Sequence, residues 1–174
     1  NPVSEAAITA AAAKIQAPFD REGGENSYSL HAELQEITHN LVGIIRTGSE
    51  LKDAIAKIAD IRKRSANVSV GGGRKFNPGF HLAFDLDNML LVAESTAKSA
   101  IAREESRGGH TRDDFPGMSN KWRQVNHISS FDGNQVNVRE QVLPTLPKEL
   151  FDLFDVHELE KYMTPEEIAK GGSN

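Results

Sequence analysis

The feature that most constrains this chain is the stretch from Asn77 to Ser106, where apolar side chains recur every three or four positions. Leu82, Leu86, Met89, Leu90, Ala93, Ala97, Ala100 and Ile101 fall on one stripe of an α-helix. Asn77 is a good N-cap and Pro78 is tolerated in the first turn, so the helix starts there. It is expected to run to about Ser106, just before Gly108-Gly109, and to span about 40 Å at 1.5 Å per residue. Such a stripe must be buried against other elements, and two earlier segments supply partners. Leu30, Leu34, Ile37, Leu41, Ile44 and Ile45 form one stripe from Ser27 or Ser29 onward, with Glu33, Glu36 and Asn40 opposite. Leu51, Ala54, Ile55, Ile58 and Ile61 form the other. Thr47 and Glu50 open it as a capping box, and Lys63 and Arg64 suit its negative end. Three long amphipathic helices with short links predict a mainly α fold, an antiparallel three-helix bundle of the spectrin-repeat kind.

The flanking segments read differently. Ser4 to Ala17 is an alanine-rich helix, capped by Ser4 and expected to stop at Pro18. Its small-residue face buries little area, so it must lean on something else. Around Phe131-Asp132-Gly133-Asn134 the period drops to two, and Asp-Gly between extended runs predicts a small β-hairpin. Short amphipathic helices are expected at 148–153 and 156–161. Thr164-Pro165-Glu166-Glu167 is a further helix start, and the end from Lys170 should fray. The chain thus divides into an N-terminal helix and loop (1–27), a helical bundle (28–120), a hairpin (121–143) and a tail with short helices (144–174).

Composition removes several functions. With no cysteine, disulfides, thiolate metal sites and cysteine nucleophiles are excluded. A net charge of -5 without a basic stripe argues against nucleic acid. No apolar run approaches the roughly 18 residues of a membrane span, and no signal-peptide pattern is present, so a membrane link is expected only through a partner. The chain starts at Asn1, as expected of a processed product or a fragment.

Candidate chemistry is sparse. Gly71-Gly72-Gly73 followed by Arg74-Lys75 offers glycines and cations for a phosphate, but it follows a helix rather than a strand, so it reads as an interhelix loop. Glu36 and His39 have the Glu-x-x-His spacing of di-iron bundles, yet the second copy such a site needs is missing. No nucleophile elbow is present. The informative run is 102–116, dense in both charge signs and broken by Gly108-Gly109. Arg103 and Arg107, four apart, are expected on one helix face. Two readings stay open for this run: a salt-bridge network that ends the helix, or a contact with a partner or ligand.

Glu105-Ser-Arg-Gly-Gly-His-Thr-Arg-Asp-Asp-Phe-Pro116 at the end of a long helix resembles the C-terminal domain of the flavoprotein subunits of succinate dehydrogenase and fumarate reductase. L-aspartate oxidase and adenylylsulfate reductase share related architecture. Asp87-Asn-Met-Leu90, Tyr28-Ser-Leu-His-Ala-Glu-Leu-Gln35, Leu41-Val-Gly-Ile-Ile-Arg46 and Trp122 extend the resemblance over residues 28 to 142. The tail after Leu143 is less family-like and resembles succinate dehydrogenases of actinobacterial type. The resemblance implies a parent oxidoreductase of the tricarboxylic acid cycle and electron transport. That parent interconverts succinate and fumarate on FAD and passes electrons through an iron–sulfur subunit and a membrane anchor to quinone. It also implies a cytoplasmic location, peripheral on the inner face of the cell membrane through those partners. The family's flavin-binding and catalytic positions lie upstream, so no catalytic, cofactor or metal residue is assigned here, and this stretch alone is expected to be inactive and flavin-free. Its implied role is scaffolding of the flavin domain and docking of the iron–sulfur subunit, with Arg103, Arg107, His110 and Arg112 as interface candidates. The alternatives are a free-standing helical interaction module, the corresponding domain of L-aspartate oxidase, and a metal-dependent bundle using Glu36 and His39.

Overall fold

The computed structural model describes residues 3–171. Helix α1 (Glu5–Asp20) is capped by Ser4, whose hydroxyl accepts from the Ala7 amide at 3.2 Å, and it buries none of its side chains. It does not stop at Pro18. A proline in the last turn removes one backbone bond. The end is held instead by Val70 N–H donating to the Pro18 carbonyl (2.8 Å) and by Phe19 stacking on Phe80 at 4.9 Å.

Helix α2 (Ser27–Leu41) starts at Asn26, whose side chain accepts from the amides of Tyr28 and Ser29. Leu30, Leu34 and Ile37 face the core. The stripe expected to continue through Ile44 and Ile45 is broken, and both residues are about two-thirds exposed. Arg46 donates to the carbonyls of Val42 (2.8 Å) and Gly43 (3.0 Å), closing the helix from outside. The chain then forms β1 (Ile45–Arg46), which pairs in parallel with β2 (Thr111–Arg112).

Helix α3 (Gly48–Ser65) carries the full Thr47–Glu50 capping box and buries Leu51, Ala54, Ile58 and Ile61. Helix α4 (Pro78–Ala102) is capped by Asn77, whose Oδ1 accepts from the Phe80 amide at 3.0 Å. It buries Leu86, Leu90, Ala93, Ala97 and Ala100. These three helices form the antiparallel bundle and its single core. Fully buried leucines such as Leu30, Leu86 and Leu90 each contribute about 1.5–3 kcal/mol. The two loops at one end are tied together, because Glu25 exchanges backbone bonds with Asn67 and Ser69. That approach needs Gly24, where a Cβ would lie 2.2 Å from the Asn67 carbonyl oxygen.

A single turn, α5 (Asn120–Arg123), carries the buried Trp122 into β3 (Val125–Phe131). The strand pairs antiparallel with β4 (Val136–Val142), Val125 opposite Val142. At the turn Asp132 Oδ1 accepts from the amides of Asn134 and Gln135, and Gly133 takes φ 98°. The hairpin is pinned to α4 by buried Glu94, which accepts from Val136 N–H and pairs with Lys98 (2.6 Å) and Arg62. Burial raises the Glu94 pKa, but Lys98 and Arg62 more than offset this and hold it below the usual carboxylate range.

The tail helices are shorter than the sequence suggests. Helices α6 (Lys148–Phe151) and α7 (Val156–Leu159) are single turns, each burying one side chain, Phe151 and Leu159. One turn has too few internal bonds to extend further. Helix α8 (Pro165–Ala169) carries the Thr164–Glu167 capping box, and Glu167 pairs with Arg123. Of the end expected to fray, Lys170 caps α8, and 172–174 lie outside the described residues. No helix among the described residues is long and apolar enough to cross a membrane.

Candidate functional site

The charged run after α4 folds into a compact knot. Helix α4 ends at Ala102, four residues before the expected stop, because its last carbonyls are taken. The guanidinium of buried Arg112 donates through Nη1 to the carbonyls of Ala100 (3.0 Å) and Ile101 (3.1 Å). A cation there also suits the negative end of the helix dipole. The rest of the fork meets Asp114: Nε donates to Oδ1 at 2.8 Å and Nη2 to Oδ2 at 2.9 Å. One face of the guanidinium lies over the Phe115 ring, 4.9 Å from its centroid. Asp114 Oδ2 also accepts from Gly48 N–H (2.9 Å), the first residue of α3. One ion pair thus joins the C-terminus of α4 to the N-terminus of α3, each charge at the favourable pole. The Arg112 contact, with the Gly48 amide, holds the Asp114 carboxyl well below the usual carboxylate range.

A second carboxylate, Glu105, is fully buried. Oε1 accepts from Arg103 Nη1 (2.7 Å), and Oε2 accepts from Arg107 Nη2 (3.1 Å) and Ser119 N–H (2.8 Å). Burial raises its pKa, yet Arg107, Ser119 and Arg103 together leave it lowered. Arg103 and Arg107 therefore do not share a helix face. Both lie beyond α4 and converge on Glu105 from either side. Arg103 further donates to the carbonyls of Trp122 (2.8 Å) and Val125 (2.9 Å), tying the knot to the hairpin. Gly108, at φ 58°, makes the turn that lets Arg107 and His110 exchange backbone bonds.

His110 sits between cations. Its Nε2 is 3.0 Å from the Arg103 carbonyl and its Nδ1 is 2.7 Å from Arg46 Nη2. A guanidinium only donates, so Nδ1 accepts and the ring is neutral with its proton on Nε2. Burial, then the charges of Arg46, Arg112 and Arg103, lower its pKa. The unfolded chain then binds the proton more readily than the native state. This stability is present above about pH 6.5 and is lost as pH falls through 6.5 toward the lowered native value. His110→Gln can keep both hydrogen bonds without titrating. Urea midpoints measured at pH 8 and pH 5 should therefore differ less in this variant than in the parent. An unchanged difference would remove His110 from the acid response.

The structure brings all four expected residues, Arg103, Arg107, His110 and Arg112, into one cluster. Arg112 is spent inside the chain, while Arg107 and His110 keep part of their surface. Sequence reasoning missed Glu105, Asp114 and Arg46 as the groups that hold them. Two of these lie in the same charged run, and that alternation of signs was the available signal. Arg103 and Arg107 pair with Glu105, and Arg112 pairs with Asp114, so the arrangement is built to hold geometry. Glu36 and His39 both lie exposed on α2, and no group of three or more His, Asp or Glu residues is placed for a metal among the described residues.

Residues 31–153 match the family model described as fumarate reductase flavoprotein C-term. The fumarate reductase flavoprotein subunit of Helicobacter pylori strain J99 is 31% identical over 133 residues, 76% of this chain and 18% of that protein. Among solved structures, the Mycobacterium smegmatis Sdh1 complex in the apo form aligns at TM-score 0.84 and 46% identity, covering 97% of this chain and 29% of that one. The E. coli quinol fumarate reductase aligns at TM-score 0.71 and 27% identity, covering 84% of this chain and 27% of that one. The chain spans about a fifth of the length of the curated relatives it matches.

Proposed function

We propose that this chain, which belongs to the fumarate reductase flavoprotein C-terminal family, is the helical scaffold domain of a subunit that interconverts succinate and fumarate. The observation that carries the reading is the family match, which spans both the bundle and the knot. FAD belongs to the remainder of the parent. The residues here do not fit it: the glycine loop follows α3 rather than a strand. A hollow of about 680 Å³ between α2 and α4 has no lysine or arginine in its lining to meet a pyrophosphate. This domain alone is then flavin-free and inactive. Residues 1–27, with α1 burying no side chain, link and lean toward the flavin domain, and the bundle (28–120), hairpin (121–143) and tail (144–174) follow.

The knot supplies a fixed docking edge for the iron–sulfur subunit. Arg103, Arg107 and His110 form its accessible part, and Arg112 sets their position from beneath. Electrons leaving the flavin would pass to that subunit and on to quinone through a membrane anchor, holding the assembly on the inner face of the cell membrane. The test is to recover the native protein with an antibody to this chain and read its mass, its flavin and its succinate oxidation. A chain about three to five times this length, with flavin and turnover, is expected. A colourless protein of this length without turnover would overturn the reading.

A further inference from the structure

The tail does not behave like the end of a finished surface. Leu153, Phe154, Val156 and Tyr162 are each more than half exposed, and Leu146 and Leu150 are exposed beside them. They sit on and around α6 and α7, single turns that cannot hold their shape through their own backbone bonds. Phe151 and Leu159 are the buried side chains of these turns, and the Arg123–Glu167 pair anchors the chain beyond them. Grouped exposed apolar side chains mark a contact surface.

Charge says what kind. Residues 144–171 carry seven carboxylates against three lysines, which places four of the chain's five net negative charges there. Lys148 and Lys161 are matched locally by Asp152 and Glu158. Glu149, Asp155, Glu160 and Glu166 face no lysine or arginine among the described residues. An anionic lipid surface or a nucleic acid would repel this segment, and a second copy of the chain is itself acidic. The stretch beyond residue 153 also lies past the end of the family match.

We infer that residues 146–162 are a docking segment for a second protein subunit whose facing surface is basic and holds an apolar pocket. Leu153, Phe154 and Val156 enter the pocket, and the unmatched carboxylates meet its basic rim. The inference goes beyond the scaffold reading and needs only that the native protein works in a complex.

The test uses the full-length protein in its native complex and the same subunit released from it by salt. Hydrogen exchange across 146–162 should be at least tenfold slower in the complex. Two double variants separate packing from charge: L153S/F154S, and E149K/E160K, which touches no buried group. Each should weaken subunit association at least tenfold, and rising salt should weaken the unaltered complex. Equal exchange in both states would overturn the inference, as would association unchanged in both variants. Slow exchange already in the released subunit would also overturn it, because the tail would then pack on its own polypeptide. Flavin content and succinate oxidation with a soluble acceptor, read on the same samples, report separately on the flavoprotein assignment.

Discussion

Replacing Glu105 with alanine is expected to destabilise the chain by about 3–5 kcal/mol, the usual cost of removing one partner from a buried ion cluster. The carboxylate is fully buried and accepts from two guanidiniums and the Ser119 amide. Alanine would leave the inward edges of Arg103 and Arg107 without an acceptor, and their remaining bonds to the carbonyls of Trp122, Val125 and Ser119 do not cover that side. Glutamine would fare little better, since its amide group would turn donors toward donors. Against a total stability of typically 5–15 kcal/mol, either change is a large fraction. Urea unfolding should show a midpoint that falls while the slope is kept. The lowered carboxyl pKa sets the acid side: the contribution is present above the unfolded value near 4.5 and is lost as pH falls through the lower native value. A Glu105→Ala unfolding free energy within about 1 kcal/mol of the parent's would mean that the cluster is decorative.

Local signals announced the elements that local forces decide. Thr47 with Glu50, Asn77 with Pro78, and Thr164 with Glu167 each start a helix where the sequence places it, because a cap is settled within three residues. The stripes of α3 and α4 are likewise a matter of period, and Asp132-Gly133 gives the hairpin its turn. What misled was periodicity that outlasts its helix. Ile44 and Ile45 continue the α2 spacing, but Arg46 closes α2, and pairing with Thr111 and Arg112, more than sixty residues on, pulls the chain into a strand. The end of α4 is decided in the same way by Arg112, reaching back to Ala100 and Ile101. Once α4 stops at Ala102, Arg103 and Arg107 lose the shared face that their spacing suggests. The site's location was legible from charge density and paired glycines. Its wiring was not, because the choice among several arginines and carboxylates rests on tertiary distances. Pro18 is a smaller case, a helix breaker tolerated because the Phe19–Phe80 stack and the Val70 bond secure the turn.

Arg112→Met is expected to cost about 3–5 kcal/mol and to loosen two helix ends at once. Methionine can fill much of the space beside Phe115 but donates nothing. The carbonyls of Ala100 and Ile101 would then be left without the donor that ends α4, and each unsatisfied buried group costs about 1–3 kcal/mol. Asp114 is partly exposed, so its freed charge can turn to water, and the larger loss falls on the α4 side. Arg112→Lys should recover less than half of the effect. An ammonium can reach the carbonyls or the carboxylate, whereas the guanidinium holds both through opposite edges. Two readouts distinguish this wiring from simple loss of packing. Amide exchange should quicken together in the last turn of α4 and at Gly48, because Asp114 would no longer be held against the start of α3. The Asp114 carboxyl, followed by NMR, should titrate upward toward the ordinary range. Exchange that quickens in α4 alone, with Asp114 unmoved, would mean that Arg112 caps one helix and does not couple the two.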